Sequence, residues 1–288
     1  MEVGERDPIT GRTTTGHEWN GIKELTTPVP RVVMVFLLLG TAFSIVYWLL
    51  MPAWPLWTSY TKGLLGNDQR AIVANQVETA RVERAAWLDK VQSMDFDAIK
   101  ADPVLMERVK EFGHVLFTDN CAACHGMQGT GGPGFPDLTA KVWLFGGEPA
   151  QLEETISVGI NSNNDDTRVS QMLAFGRDGL LDNKQINDVV AYVRSLSGAS
   201  APEERLAAGK AIFAANCVSC HGEDAKGMQE SGAPDLTDHH WIYGGSANEV
   251  MASVYRGRQG HMPHWRDRLT PAEIKLLAIY VGELGDTK

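Results

Sequence analysis

Cys121-Ala122-Ala123-Cys124-His125 decides how the rest of the chain is read, and the pattern returns as Cys217-Val218-Ser219-Cys220-His221. Two thiols three positions apart sit about one helical turn apart, so both can add to the vinyl groups of a single haem. The histidine that follows then faces the iron and leaves its opposite side for a second ligand. A lone Cys-x-x-Cys would also suit a thioredoxin-like pair, half a zinc site or a disulfide. Here the histidine follows immediately in both copies, and these are the only four cysteines in the chain. The pattern therefore predicts two covalently bound haem c groups, on Cys121 and Cys124 and on Cys217 and Cys220, with His125 and His221 as axial iron ligands.

The composition sets bounds on the rest. A chain of 288 residues that is 43% apolar can bury the core of two small domains, which excludes a disordered protein. A formal net charge of −10 excludes a nucleic-acid binder and suits a positively charged protein partner, although a soluble acidic surface alone has the same composition.

Residues 1–31 read as a polar arm with the Pro28-Val29-Pro30 run and no apolar periodicity. Residues 32–51 follow without a charge, twenty positions rich in Val, Leu, Phe and Ile, enough at about 1.5 Å per residue to cross the hydrocarbon of a membrane. Trp48, Trp54, Trp57 and Tyr60 supply an aromatic belt at the far end. The stretch is longer than a usual signal-peptide core and no small-x-small cleavage site follows it, so it reads as an uncleaved anchor in contact with lipid. Arg6, Arg12, Lys23 and Arg31 before the span outnumber Lys62 and Arg70 after it, which points the N-terminus to the cytoplasm. Covalent haem attachment in bacteria is periplasmic and agrees with that orientation. Residues 52–110 read as a periplasmic linker carrying an amphipathic helix from about 68 to 92, with Asp102-Pro103 opening the next helix.

Aligning the two motifs exposes an internal repeat with a period a little under one hundred residues. Gly113 matches Gly209, Phe117 matches Phe213 and Asn120 matches Asn216; downstream, Pro136-Asp137-Leu138 matches Pro234-Asp235-Leu236 and Trp143 matches Trp241. Gly146-Gly147 matches Gly244-Gly245, and Tyr192-Val193 matches Tyr280-Val281. The glycine one turn before each phenylalanine lets another helix approach closely, and the helices carrying Tyr192 and Tyr280 are natural partners for it. A carbonyl of the Pro136 or Pro234 loop is placed to accept the Nδ1 proton of His125 or His221. Residues 197–202 read as a short linker between the copies.

Gly-x-x-x-Phe before the haem motif, the Pro-x-Leu loop and the C-terminal aromatic helix resemble the class I cytochrome c family over roughly 111–199 and 203–288. The resemblance implies an all-α fold: one transmembrane helix followed by two tandem cytochrome c domains, 111–199 and 203–288. It also implies a distal methionine for each iron. Gly260-His261-Met262-Pro263 matches the family's Met-Pro loop, so Met262 is the expected ligand of the second haem. Met172 is the best match for the first, 47 residues after its histidine against 41 in the second copy, and no proline follows it. Crossed ligation, each methionine serving the other copy's haem, stays open at this point. A thioether opposite an imidazole suits electron transfer and not chemistry on a substrate.

His17-Glu18-Trp19-Asn20-Gly21-Ile22 and Pro28-Val29-Pro30-Arg31 before a single span, then two haem domains, resemble the CcoP/FixP family, the dihaem subunit III of cbb3-type cytochrome c oxidases. The resemblance covers nearly the whole chain. It implies that the chain takes electrons from a soluble periplasmic donor cytochrome c. It would pass them to the monohaem cytochrome c subunit and then to the haem–copper catalytic subunit, where oxygen is reduced and protons are translocated. The chain itself would have no catalytic site and would sit in the bacterial inner membrane with its haem domains in the periplasm. A tethered dihaem carrier serving several partners shares every haem feature but not the motif before the span. A dihaem peroxidase would need one iron with a displaceable ligand.

Overall fold

The computed structural model describes residues 5–285. Its internal contacts divide the chain into a unit up to Val82 and a unit from Glu83 onward.

The first unit buries almost nothing. Strands β1 (Thr14–Trp19) and β2 (Ile22–Leu25) form an antiparallel hairpin with Trp19 opposite Ile22 and Glu18 opposite Lys23. Asn20 and Gly21 turn it at φ 50° and 87°, the left-handed pair that a two-residue hairpin turn requires. The arm at 1–31 is therefore partly folded, and Asn20-Gly21 was its signal in the sequence. Helix α1 (Arg31–Leu50) has no buried residue, and the hydroxyls of Thr41 and Ser44 donate to the carbonyls of Leu37 and Gly40. A surface so apolar, with its hydroxyls satisfied within the helix, suits lipid. Helix α2 (Gln69–Ser93) starts at Asp68, whose carboxylate accepts from the Arg70 and Ala71 N–H groups. Its apolar residues Ile72, Val73, Val77 and Val82 are roughly half exposed.

The second unit contains the packed cores. The end of α2 joins it through Trp87, Leu88 and Val91, followed by the short α3 (Phe96–Ala101). Helix α4 (Pro103–Asn120) begins at the Asp102-Pro103 pair, with the Asp102 carboxylate accepting from Val104 and Leu105 N–H groups at 3.0 and 3.2 Å. After the first haem motif come α6 (Pro149–Val158) and α7 (Asn183–Leu196); the second copy supplies α8 (Glu203–Asn216), α10 (Ala247–Arg256) and α11 (Pro271–Gly282). Between α4 and α6, and between α8 and α10, single turns α5 (Ala122–His125) and α9 (Val218–His221) carry the motifs.

The packing does not follow the division into copies 111–199 and 203–288. One core joins α4 and α6 of the first copy to α11 of the second, through Leu116, Phe117, Leu152, Ile156, Leu276 and Leu277. The other joins α8 and α10 of the second copy to α7 of the first, through Phe213, Val250, Val254, Ile186, Val189 and Val193. The copies have exchanged their C-terminal helices. Gly113 lies against Tyr280 and Gly209 against Asp188 and Tyr192; a Cβ at 209 would stand 2.1 Å from the Asp188 carbonyl oxygen. Each glycine therefore meets a tyrosine helix, as expected, and in both cases it is the helix of the opposite copy.

The chain crosses itself at two matching places. Ile160 and Met262 exchange backbone hydrogen bonds of 2.9 Å in both directions, and Met172 and Arg258 exchange bonds of 2.8 and 3.1 Å. Gly159 and Gly257, which end α6 and α10, take φ of +74° and +71°, and a Cβ on either would lie 2.5 Å from the carbonyl oxygen of Met262 or Met172. Glycine is required at both turns for conformation and for space.

Candidate haem-binding sites

Both motifs adopt one geometry. Cys121 closes α4, and the N–H groups of Cys124 and His125 donate back to its carbonyl at 3.1 and 3.0 Å; Cys217 receives Cys220 and His221 at 3.1 and 2.9 Å. The turn holds each pair of thiols on one side of a single helical revolution. Cys121 and Cys217 are half-buried, and Cys124 and Cys220 are exposed. Burial, with the neighbouring thiol adding to it, pushes the Cys121 and Cys217 thiols up to about 11. Those two sulfurs face inward, toward the cores.

Each histidine is held by its loop. His125 Nδ1 donates to the Pro136 carbonyl at 3.3 Å and His221 Nδ1 to the Pro234 carbonyl at 3.1 Å. Burial moves both imidazoles below their ordinary value, and the carbonyl bond opposes the shift in part. The result is a neutral ring with its Nδ1 proton committed and its Nε2 lone pair available to a metal.

The methionines lie across the exchange. Met262 packs on the core that includes Cys121, Ala122, Leu138 and Trp143. Met172 packs on the core that includes Cys217, Val218, Leu236 and Trp241. The sequence expectation paired Met172 with the first motif and Met262 with the second, and the packing brings each beside the other. Three further histidines near the cores each have one ring nitrogen engaged elsewhere. His114 Nδ1 is 3.1 Å from the Tyr280 hydroxyl, His261 Nδ1 donates to the Asn161 carbonyl at 2.9 Å, and His264 Nε2 is 3.0 Å from the Asp267 carboxylate. Met127 is largely exposed, and Met251 lies in α10 against the second core.

The residues fit a covalently attached haem. In each core two thiols share a turn, an imidazole has one nitrogen free, a thioether approaches from the other copy and the surrounding walls are aliphatic and aromatic. Sequence reasoning missed two features of these cores. One is the pair of crossing glycines, Gly159 and Gly257. The other is an arginine over an aromatic ring in each copy: Arg168 over Phe145 at 5.0 Å and Arg258 over Tyr243 at 4.2 Å. Both were within reach, because Phe145 and Tyr243 each stand two residues after the matched tryptophan and both arginines four before the methionine.

Comparison with known proteins covers the chain from end to end. A family described as the N-terminal domain of cytochrome oxidase-cbb3, FixP, matches residues 11–58; cytochrome c matches 111–197; and cytochrome c oxidase, cbb3-type, subunit III, matches 204–281. The cbb3-type cytochrome c oxidase subunit FixP of Bradyrhizobium diazoefficiens is 45% identical over 99% of this chain and 98% of its own length. The subunit CcoP of Azospirillum brasilense is 40% identical over all of both chains. That of Rhodobacter capsulatus is 43% identical over 94% of this chain and 95% of its own length.

Proposed function

This chain belongs to the CcoP/FixP family of cbb3-type cytochrome c oxidase subunits, and on that premise we propose that it carries two covalently bound haems and relays electrons into the oxidase. It takes them from a soluble periplasmic cytochrome c and delivers them to the monohaem subunit, from which they reach the haem–copper subunit. The observation that carries the reading is the pair of motifs on identical turns, each with its histidine Nδ1 committed to a loop carbonyl. Cys121 and Cys124 hold the first haem, Cys217 and Cys220 the second.

His125 with Met262 would hold the first haem and His221 with Met172 the second, the pairing that the packing of the cores supports. Bound there, haem iron supplies a one-electron change of valence. The protein's own contribution would be an imidazole and a thioether for each iron, which would keep exogenous ligands away from it. The Pro136 and Pro234 carbonyls orient the imidazoles and raise their basicity. The chain has no catalytic site of its own in this reading. Its anchor α1 places the N-terminus in the cytoplasm and the haem cores in the periplasm.

Purification of the native assembly from a membrane tests the proposal. This chain should co-purify with the haem–copper and monohaem subunits, and a pyridine haemochrome assay should return two c-type haems per chain. Recovery of the chain apart from any oxidase, while the oxidase retains full turnover with a donor cytochrome c, would favour a free dihaem carrier.

A further inference from the structure

We propose that the loop between α1 and α2 holds the headgroup of an anionic phospholipid, with the phosphodiester between Lys62 and Arg70. The proposal rests on the reading of α1 as a membrane span.

Twenty residues at about 1.5 Å each carry α1 across about 30 Å of hydrocarbon, so its last turn ends where the headgroups begin. The segment that follows is tied to that level. The N–H groups of Leu64 and Leu65 donate to the Leu49 and Leu50 carbonyls at 2.9 and 3.1 Å, satisfying two acceptors that the end of a helix leaves without partners. Gly63 makes the return possible: its φ is +69°, and a Cβ there would stand 2.3 Å from the Leu50 carbonyl oxygen. Trp54 packs edge-on against Trp48 of α1, with ring centroids 4.9 Å apart. Residues 51–65 are therefore a loop closed on the end of the span and held at its depth.

The loop is internally braced. Leu56 N–H donates to the Ser59 carbonyl at 2.7 Å, Thr61 N–H to the Trp54 carbonyl at 2.9 Å, and Trp54 N–H to the Thr61 hydroxyl at 3.0 Å. Its tip presents Leu56, more than half exposed, and Trp57, wholly exposed. An indole is favoured where its ring meets apolar chains and its N–H meets polar groups, which is the headgroup level. At this tip Leu56, Trp57, Tyr60, Lys62, Asp68 and Arg70 line one open hollow. Asp68 organises it. Its carboxylate accepts from the Tyr60 hydroxyl at 3.2 Å and from the Arg70 and Ala71 N–H groups at 3.1 and 3.2 Å, with Lys62 Nζ 3.5 Å away. Two cations against one carboxylate leave the hollow net positive, which suits a headgroup of net negative charge whose acyl chains lie along α1.

Native mass spectrometry of the full-length chain, extracted from membranes into detergent and given equal amounts of phosphatidylglycerol and phosphatidylcholine, tests this. Both lipids carry the phosphodiester, and only phosphatidylglycerol has a net negative charge. The chain should retain phosphatidylglycerol in preference. Lys62→Gln and Arg70→Gln should each lower that preference about fivefold, Lys62→Arg and Arg70→Lys should keep most of it, and Trp57→Ala should reduce retention of both lipids alike. Equal retention of the two lipids by the unaltered chain, or an unchanged preference in both glutamine variants, would overturn the proposal. Displacement of the lipid by soluble glycerol phosphate would also overturn it, assigning the hollow to a free phosphate. Recovery of the chain in the soluble fraction, before any lipid is added, would instead remove the span on which the proposal rests.

Discussion

Asp188 shows how much one side chain on an exchanged helix carries. It is 5% exposed on α7, and its carboxylate accepts from Lys184 Nζ at 2.8 Å and from Arg205 Nε of α8 at 3.2 Å. The Lys184 hydrogen bond, with Arg205 adding, holds its carboxyl below the usual range against the opposing effect of burial. A depressed folded value means that this contribution is complete above the unfolded carboxylate value of about 4 and is lost as pH falls through the folded one. Asp188→Asn should therefore lower the melting temperature at neutral pH, and the gap from wild type should narrow below about pH 4. Thermal melts at the two pH values check it; an equal gap at both would assign the loss to packing. Pro136 and Pro234 act through carbonyls that no side-chain replacement removes, so their role reads out only in the histidines they hold.

Among the elements, α7 and α11 do the most, since each closes the core that begins in the other copy. A Cβ on residue 209 would stand 2.1 Å from a backbone oxygen, and one on residue 113 would stand 2.7 Å from the Tyr280 side chain. Both Gly→Ala changes should destabilise by about 1–3 kcal/mol. The larger loss should fall on Gly209→Ala, because a carbonyl cannot rotate aside as a side chain can. Denaturant melts of the two variants give the comparison, and equal or reversed losses would contradict it. Gly113→Ala should also weaken the far-red Met–iron charge-transfer band, because it loosens α11, which shares a core with Met262. Much at this scale was legible in the sequence. The haem turns, the apolar span, the Asp102 cap and the close-approach glycines Gly113 and Gly209 are written in local chemistry. The exchange was not, because the two copies are alike: Gly113 fits the helix of Tyr192 or of Tyr280 by one pattern, and domain exchange conserves every such contact. What decides between them is the path of the chain at Gly159 and Gly257. The hairpin at Thr14–Leu25 was hidden because its strands are short and polar at most positions, leaving Asn20-Gly21 as its one sharp signal.

At the scale of the whole molecule, charge and covalent connection govern function. The formal net charge of −10 predicts that docking of a basic donor cytochrome weakens as salt rises, because screening shortens to about 8 Å at physiological ionic strength. Turnover measured against ionic strength should show a rising apparent KM for the donor, and a flat profile would contradict it. Removing residues 32–51 should detach the haem cores from the oxidase and lower oxygen consumption with a soluble donor, whereas full activity would show that the span is dispensable. The exchange makes a stronger demand, because in the pairing proposed above neither copy closes its own iron. The most direct test is a full-length chain with Cys217→Ser and Cys220→Ser, which keeps only the first haem, examined reduced under carbon monoxide. Met262→Ala in that background should open the remaining iron to carbon monoxide and Met172→Ala should leave it closed. Binding in the Met172→Ala chain, with none in the Met262→Ala chain, would contradict the crossed pairing.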